Sequence, residues 1–214
     1  MNFIVNFFDL ILHLDKYLGA FINNYGTLTY LVLFLIILAE TGFVVTPFLP
    51  GDSVIFAAST FCALGLLDIY ILIPLLLIAA IVGDTFNYSI GKLLGDKLLN
   101  NSKIIKKEYI EKTNAYYDKY GGKTLIIARF IPIVRTFAPF VAGIGTMKYK
   151  KFLTYNALGG CIWVLLVSAL GYFFGNIKVV ANNFSIVIIA IILVSILPAI
   201  VGILKAKFSN KATA

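Results

Sequence analysis

Arg129 and Arg135 are the only arginines in a chain that otherwise carries its positive charge on sixteen lysines. Both fall in TLIIARFIPIVRTFAPFVAGIGT, residues 124–146, a stretch apolar enough for a membrane but interrupted by Pro132 and Pro139. A guanidinium stays charged at any accessible pH and presents a flat fork of donors that fits phosphate or carboxylate. At membrane depth each arginine costs roughly 2.5–3.5 kcal/mol to insert, so the pair marks either a binding site or a structural ion pair. If the fork matters, Arg129→Lys and Arg135→Lys are each expected to lose most activity. Glu40 and Asp52 are the acids of the matching apolar region in the first half of the chain. While ionised they cannot ligate a phosphate. Their chemistry is to take up protons and to alternate between pairing with an arginine and releasing it. Asp52 is also placed to cap a helix over 53–66.

Further along, Asp84, Asn87 and Tyr88 close a long apolar run and read as one polar packing node. His13 is the only histidine and reads as interfacial. Cys62 and Cys161 sit alone in apolar runs and read as small packing residues. One histidine is too few for an embedded histidine phosphatase, a His/Glu metalloprotease or Ser–His chemistry, and no Walker A motif is present. No enzyme, metal or cofactor is expected.

The elements that must hold the charged residues follow from composition. The 214 residues are 60% hydrophobic, with a mean hydropathy of +0.95, far above a soluble domain. Residues 1–27 contain an amphipathic segment, interfacial or a poor span, without the basic start and small-residue cleavage site of a signal peptide. Residues 28–66 form a hairpin broken by Pro47, Pro50 and Gly51, since the second arm, 53–66, is too short for a confident span. Residues 69–90, 152–175 and 182–204 each read as a transmembrane helix. Residues 92–123 form a basic segment, helical in part, and 205–214 a basic tail.

The lysines set the topology. Residues 92–123 hold eight lysines against four acids, KYKK at 148–151 holds three lysines, and the tail from Lys205 three more. Were 124–146 to cross the membrane, the first two basic loops would lie on opposite faces, against the positive-inside bias. A second hairpin at 124–146 that dips in and returns keeps both loops and the tail cytoplasmic. Irregular backbone at that depth must line a cavity or be buried in protein. The two halves then correspond: hairpin plus span at 28–90, and hairpin plus span at 124–175. Phe48-Leu49-Pro50 and Phe130-Ile131-Pro132 occupy equivalent breaks. Their spans run in opposite directions, so the repeats are inverted and the hairpins meet near the midplane, acids facing arginines. The expected fold is an all-α polytopic membrane protein, an inverted repeat of re-entrant hairpin plus transmembrane helix with a further C-terminal helix. The same charge pattern reads as membrane topology and not as a nucleic-acid surface.

Several motifs agree in order over about residues 25–175: Glu40-Thr41-Gly42, Phe48-Leu49-Pro50-Gly51-Asp52, Gly83-Asp84 through Tyr88 with Gly91-Lys92, and Arg129-Phe130-Ile131-Pro132 followed by Arg135-Thr136-Phe137 and Pro139. In these the chain resembles the bacterial DedA family of the VTT (SNARE-associated) superfamily of lipid scramblases and transporters. It looks most like the proteobacterial members linked to proton-motive force and envelope maintenance. The resemblance implies a multi-pass protein of the bacterial cytoplasmic (inner) membrane, linked to the proton-motive force, that returns undecaprenyl phosphate or flips a related phospholipid. It places the family's essential acids on Glu40 and Asp52 and its essential arginines on Arg129 and Arg135. Lys92 stands where the family usually has arginine. The partners expected are therefore a polyprenyl phosphate or phospholipid, protons, and a second copy in a homo-oligomer. A proton-coupled exporter of small cations or drugs is the rival transport reading, with Glu40 and Asp52 binding the cargo; a structural envelope protein without flux is a third class.

Overall fold

The computed structural model describes residues 14–43, 51–100, 122–145, 147–175, 177, 186 and 190. Expectations for residues 1–13, Pro47, Pro50, the span 182–204, the tail and most of the basic segment fall outside that set. Every element among the described residues is a helix. They are α1 (Leu14–Tyr25), α2 (Leu28–Gly42), α3 (Gly51–Ala63), α4 (Ile69–Asn100), α5 (Lys123–Ala128), α6 (Pro132–Ile144) and α7 (Tyr149–Gly175).

The breaks have local causes. Gly26 (φ +52°) and Gly65 (φ +77°) take left-handed backbone that ends α1 and α3, a conformation open to glycine at little cost. Asp68 opens α4 by accepting the Tyr70 N–H at 2.8 Å. Ile131 is extended (φ −116°, ψ +107°) ahead of Pro132, which sits in the first turn of α6. A residue before proline is pushed out of the helical region, and proline suits a helix start, so the pair ends α5 and starts α6. Pro139 behaves otherwise than expected: it lies inside α6 and does not break it. The helix gives up the N–H that would bond the Arg135 carbonyl, a loss apolar helices tolerate where neighbours cover it. The helix expected over 69–90 continues to Asn100, into the start of the basic segment. Lys92 is exposed, and an exposed lysine does not stop a helix.

Among the described residues, two helices are long and apolar enough to cross a membrane, Ile69–Gly95 and Tyr149–Phe174. At 15, 13 and 13 residues, α2, α3 and α6 fall short of the ~20 needed. Polarity is arranged inside out relative to a soluble protein. Helix α4 exposes Ile71, Ile78, Val82 and Phe86 and buries Asp84 and Asn87; α7 exposes Leu158, Ile162, Leu165 and Phe173 and buries Asn156 and Ser168. An apolar exterior around buried polar groups suits a lipid solvent.

The helices pack in a crossed pattern. α2 lies on α4 and α5 on α7, whereas α3 lies on α7 and α6 on α4. The crossings of α3 and α6 are backbone-close. A Cβ at Gly171 would strike the Phe56 main chain, one at Gly91 the Phe140 main chain, and one at Gly143 the Tyr88 carbonyl. Small residues allow this approach between membrane helices. Gly143→Ala is therefore expected to lower stability by about 1–3 kcal/mol, since backbone cannot step aside as a side chain does. Thermal unfolding in detergent measures it, and an unchanged midpoint would mean that α6 is not held against α4.

Candidate functional site

Five charged side chains form two ion-pair groups, four of them near helix ends and Asp84 within α4. Glu40 is in the last turn of α2 and fully buried. Its Oε1 accepts the Gly51 N–H at 3.3 Å and a bond from Arg135 Nη2. Asp52 is in the first turn of α3, inside the helix and so not at a capping position. Its Oδ1 accepts from Arg135 Nη1 at 2.9 Å and from the indole N–H of Trp163 at 2.7 Å. Arg135 thus uses both arms of its fork, one for each carboxylate, and its side chain is only 8% exposed. Burying a guanidinium this far is tolerable only with such partners.

Arg129 goes elsewhere. It follows α5 at the break, and its Nη2 donates both to Asp84 Oδ2 and to Asn156 Oδ1. The expectation that both arginines face Glu40 and Asp52 therefore holds for Arg135 alone. The guanidinium carbons of Arg129 and Arg135 stand 5.6 and 5.2 Å from the centroid of the Trp163 ring, within cation–π range. Trp163 is thus the shared wall of two ion-pair systems.

Asp84, Asn87 and Tyr88 do not form one node. Asp84 pairs with Arg129. The Asn87 amide donates to the carbonyls of Thr41, at 3.2 Å, and Thr136, at 2.7 Å. These residues adjoin Glu40 and Arg135, so Asn87 ties α2 to α6 beside their ion pair. The Tyr88 hydroxyl donates to the Met147 carbonyl at 2.7 Å, and its ring stacks on Phe152 at 4.3 Å. Of the structural breaks expected from sequence, Gly51 and Pro132 start helices at this site.

Two site residues, Asn156 and Trp163, escaped the sequence reading, and a third, Asp84, reads there as packing and not as a charge partner. Asn156 holds Arg129 and also donates to the Ile81 carbonyl at 3.2 Å. Trp163 bonds Asp52, and Asp84 is a charge partner. The signal was available: each is a polar or singular residue inside an apolar span. Two voids border the arginines, each of about 10 Å³, room for one water. A phosphate enters only if these side chains move. Among the described residues no His, Cys, Asp and Glu group could hold a metal ion.

Residues 46–173 match the VTT domain. The chain is 51% identical to Protein DedA of Escherichia coli (strain K12), over 97% of its own length and 96% of the relative's. It belongs to the DedA family of VTT-domain membrane proteins. Other members diverge further. An uncharacterized membrane protein of Mycobacterium leprae (strain TN) is 37% identical over 84% of this chain and 81% of its own. The inner membrane protein YqjA of Escherichia coli (strain K12) is 34% identical over 70% and 69%. No solved structure matches the chain. The DedA-family match encloses Asp52, Asp84, Arg129, Arg135, Asn156 and Trp163, while Glu40 lies just ahead of the VTT range.

Proposed function

We propose that this chain is a proton-motive-force-linked lipid transporter of the bacterial cytoplasmic membrane, crossing it several times. Its substrate is a lipid phosphate, undecaprenyl phosphate or a related phospholipid, returned across the bilayer for envelope biogenesis. The observation that carries the reading is the cluster itself: two buried guanidiniums held by carboxylates, at the meeting point of broken helices. A phosphomonoester needs such donors away from water. The crossed packing of α3 on α7 and α6 on α4 supports an inverted repeat of two re-entrant hairpins, with the site between the halves.

Charge balance supports a proton. Three carboxylates, Glu40, Asp52 and Asp84, face two guanidiniums, leaving one negative charge in excess. One bound proton restores neutrality and frees Arg135 from one of its two partners. Substrate and proton then enter together, and no protein group is consumed in any step.

The test is flux of labelled polyprenyl phosphate in proteoliposomes. An inward proton gradient is expected to accelerate uptake in the wild type and to have no effect in Glu40→Gln, whose amide cannot release a proton. A flat response in the wild type leaves a passive scramblase. Absence of any lipid-phosphate flux, with proton-driven efflux of organic cations instead, would favour the exporter of small cations or drugs, which the surplus carboxylate would also suit.

A further inference from the structure

Glu40 reaches across the break of the first hairpin to the head of α3, and the geometry there is that of an occupied anion seat. Resting on the lipid-phosphate reading above, we infer that the oxyanion's seat is formed by Arg135 and the first N–H of α3, and that Glu40 is its internal placeholder. In this division of labour, Glu40 Oε1 marks the position a phosphate oxygen takes.

Three observations converge. First, one oxygen, Oε1, receives both the Gly51 N–H and Arg135 Nη2, donors from the two different hairpins. A helix N-terminus offers unsatisfied N–H groups and positive potential, and α3 is 13 residues long. Second, glycine at 51 leaves room for the carboxylate where it lies: a Cβ there would overlap the Glu40 side-chain end. Third, the carboxylate only half-fills the seat. Among the described residues, Arg135 Nε is buried without a hydrogen-bond partner, and so is Glu40 Oε2, on side chains 8% and 0% exposed. Buried polar atoms without partners are uncommon and costly. A tetrahedral phosphate has more acceptor oxygens than a carboxylate and can serve Nε and Nη2 together along the guanidinium edge, while another oxygen takes the Gly51 N–H.

Arg129 differs in its partners. Its acceptors are Asp84 and Asn156, on the spans α4 and α7, and no helix N-terminus shares them. It borders Trp163 and holds the second hairpin to the spans, beside the seat.

The charged groups around Glu40 are few. Across from it Arg135 projects from α6 and Asp52 from α3; α4 contributes Asp84, already paired with Arg129. Phosphate and ionised Glu40 therefore compete for one set of donors. The consequence is opposite to that of an ordinary ligand mutation: removing this acid should tighten anion binding.

Calorimetric titration of the purified full-length chain in detergent measures this, with inorganic phosphate and a short-chain prenyl phosphate as separate probes. Glu40→Gln is expected to bind both more tightly than the wild type, by about 5- to 150-fold, the size of a typical coupling free energy between two binding events. Glu40→Ala serves if the glutamine variant does not fold. Adding Gly51→Ala to Glu40→Gln should abolish the gain without changing the charge of the site, because the new methyl fills the seat. The two probes separate a lipid head-group seat from a site for free phosphate. Tighter binding of prenyl phosphate than of inorganic phosphate marks the lipid, and equal affinity marks the free ion. Unchanged or weaker binding of both probes in Glu40→Gln and Glu40→Ala overturns the placeholder role, as does a gain that survives Gly51→Ala. Failure here with lipid-phosphate flux intact would remove the seat and leave the transport reading; a gain in affinity without any flux would do the reverse.

Discussion

Arg135→Leu is expected to bring lipid-phosphate flux to the protein-free level and to lower stability by about 3–5 kcal/mol, the usual cost of breaking a buried ion pair from one side. The loss has a particular origin. Glu40, fully buried, and Asp52, whose side chain is 18% exposed, would both remain without their guanidinium. Neutralising what is left should therefore restore the fold. The triple variant Arg135→Leu, Glu40→Gln, Asp52→Asn is expected to recover most of the thermal midpoint in detergent while flux stays at background, because the proposed anion donor is gone. Recovery of flux in that variant would show that Arg135 serves only to balance the acids. An unchanged midpoint in Arg135→Leu alone would show that the ion pairs contribute little to the fold.

The second large effect is a difference between two conservative changes. From sequence, lysine is expected to fail at both arginine positions. The geometry separates them. Arg135 donates from Nη2 to Glu40 and from Nη1 to Asp52, so it spans two carboxylates on two helices. A lysine ammonium is a point donor on a flexible stem and cannot reproduce that span. Arg129 makes both of its bonds from the single atom Nη2, which an ammonium with three protons can imitate. Arg135→Lys is thus expected to lose nearly all flux, and Arg129→Lys to keep a substantial part of it. Initial uptake rates on vesicles matched for inserted protein give the comparison. Equal loss in both variants would mean that Arg129 uses its planar shape after all, through its contact with Trp163.

How much of this site was legible in the sequence depended on how a residue contrasts with its surroundings. Arg129, Arg135, Glu40 and Asp52 stood out because a charge in an apolar run is expensive and needs a reason. Pro132 marked its break because proline acts through its own backbone and that of its neighbour. Pairing was not legible, since partners such as Arg135 and Glu40 lie 95 residues apart and only packing decides who meets whom. The expectation that Arg129 would face the first-hairpin acids failed for that reason: α5 packs on α7, which brings the arginine to Asn156 and, across α4, to Asp84. Pro139 misled in the opposite direction. It promised a break that neighbouring helices absorb, with α6 held against α4 through Gly91 and Gly143. Asp84 carried the same contrast as the arginines, yet its closeness to Asn87 and Tyr88 suggested a local polar cluster where the structure has three separate contacts.

Trp163 is the chain's sole tryptophan, 2% exposed, with its indole N–H on Asp52 and both site cations close to its ring. Indole emission shifts with the electric field across the ring and with the partner of its N–H. The unmodified protein therefore carries an optical probe at the point where, on the proposed function, carboxylate, guanidinium and ligand exchange. Stopped-flow mixing with substrate or acid can time the release of Asp52 or the movement of Arg135 without an attached dye, and twelve tyrosines elsewhere do not interfere when only tryptophan is excited. Rates that are inseparable in a vesicle flux assay become separate transients from one side chain.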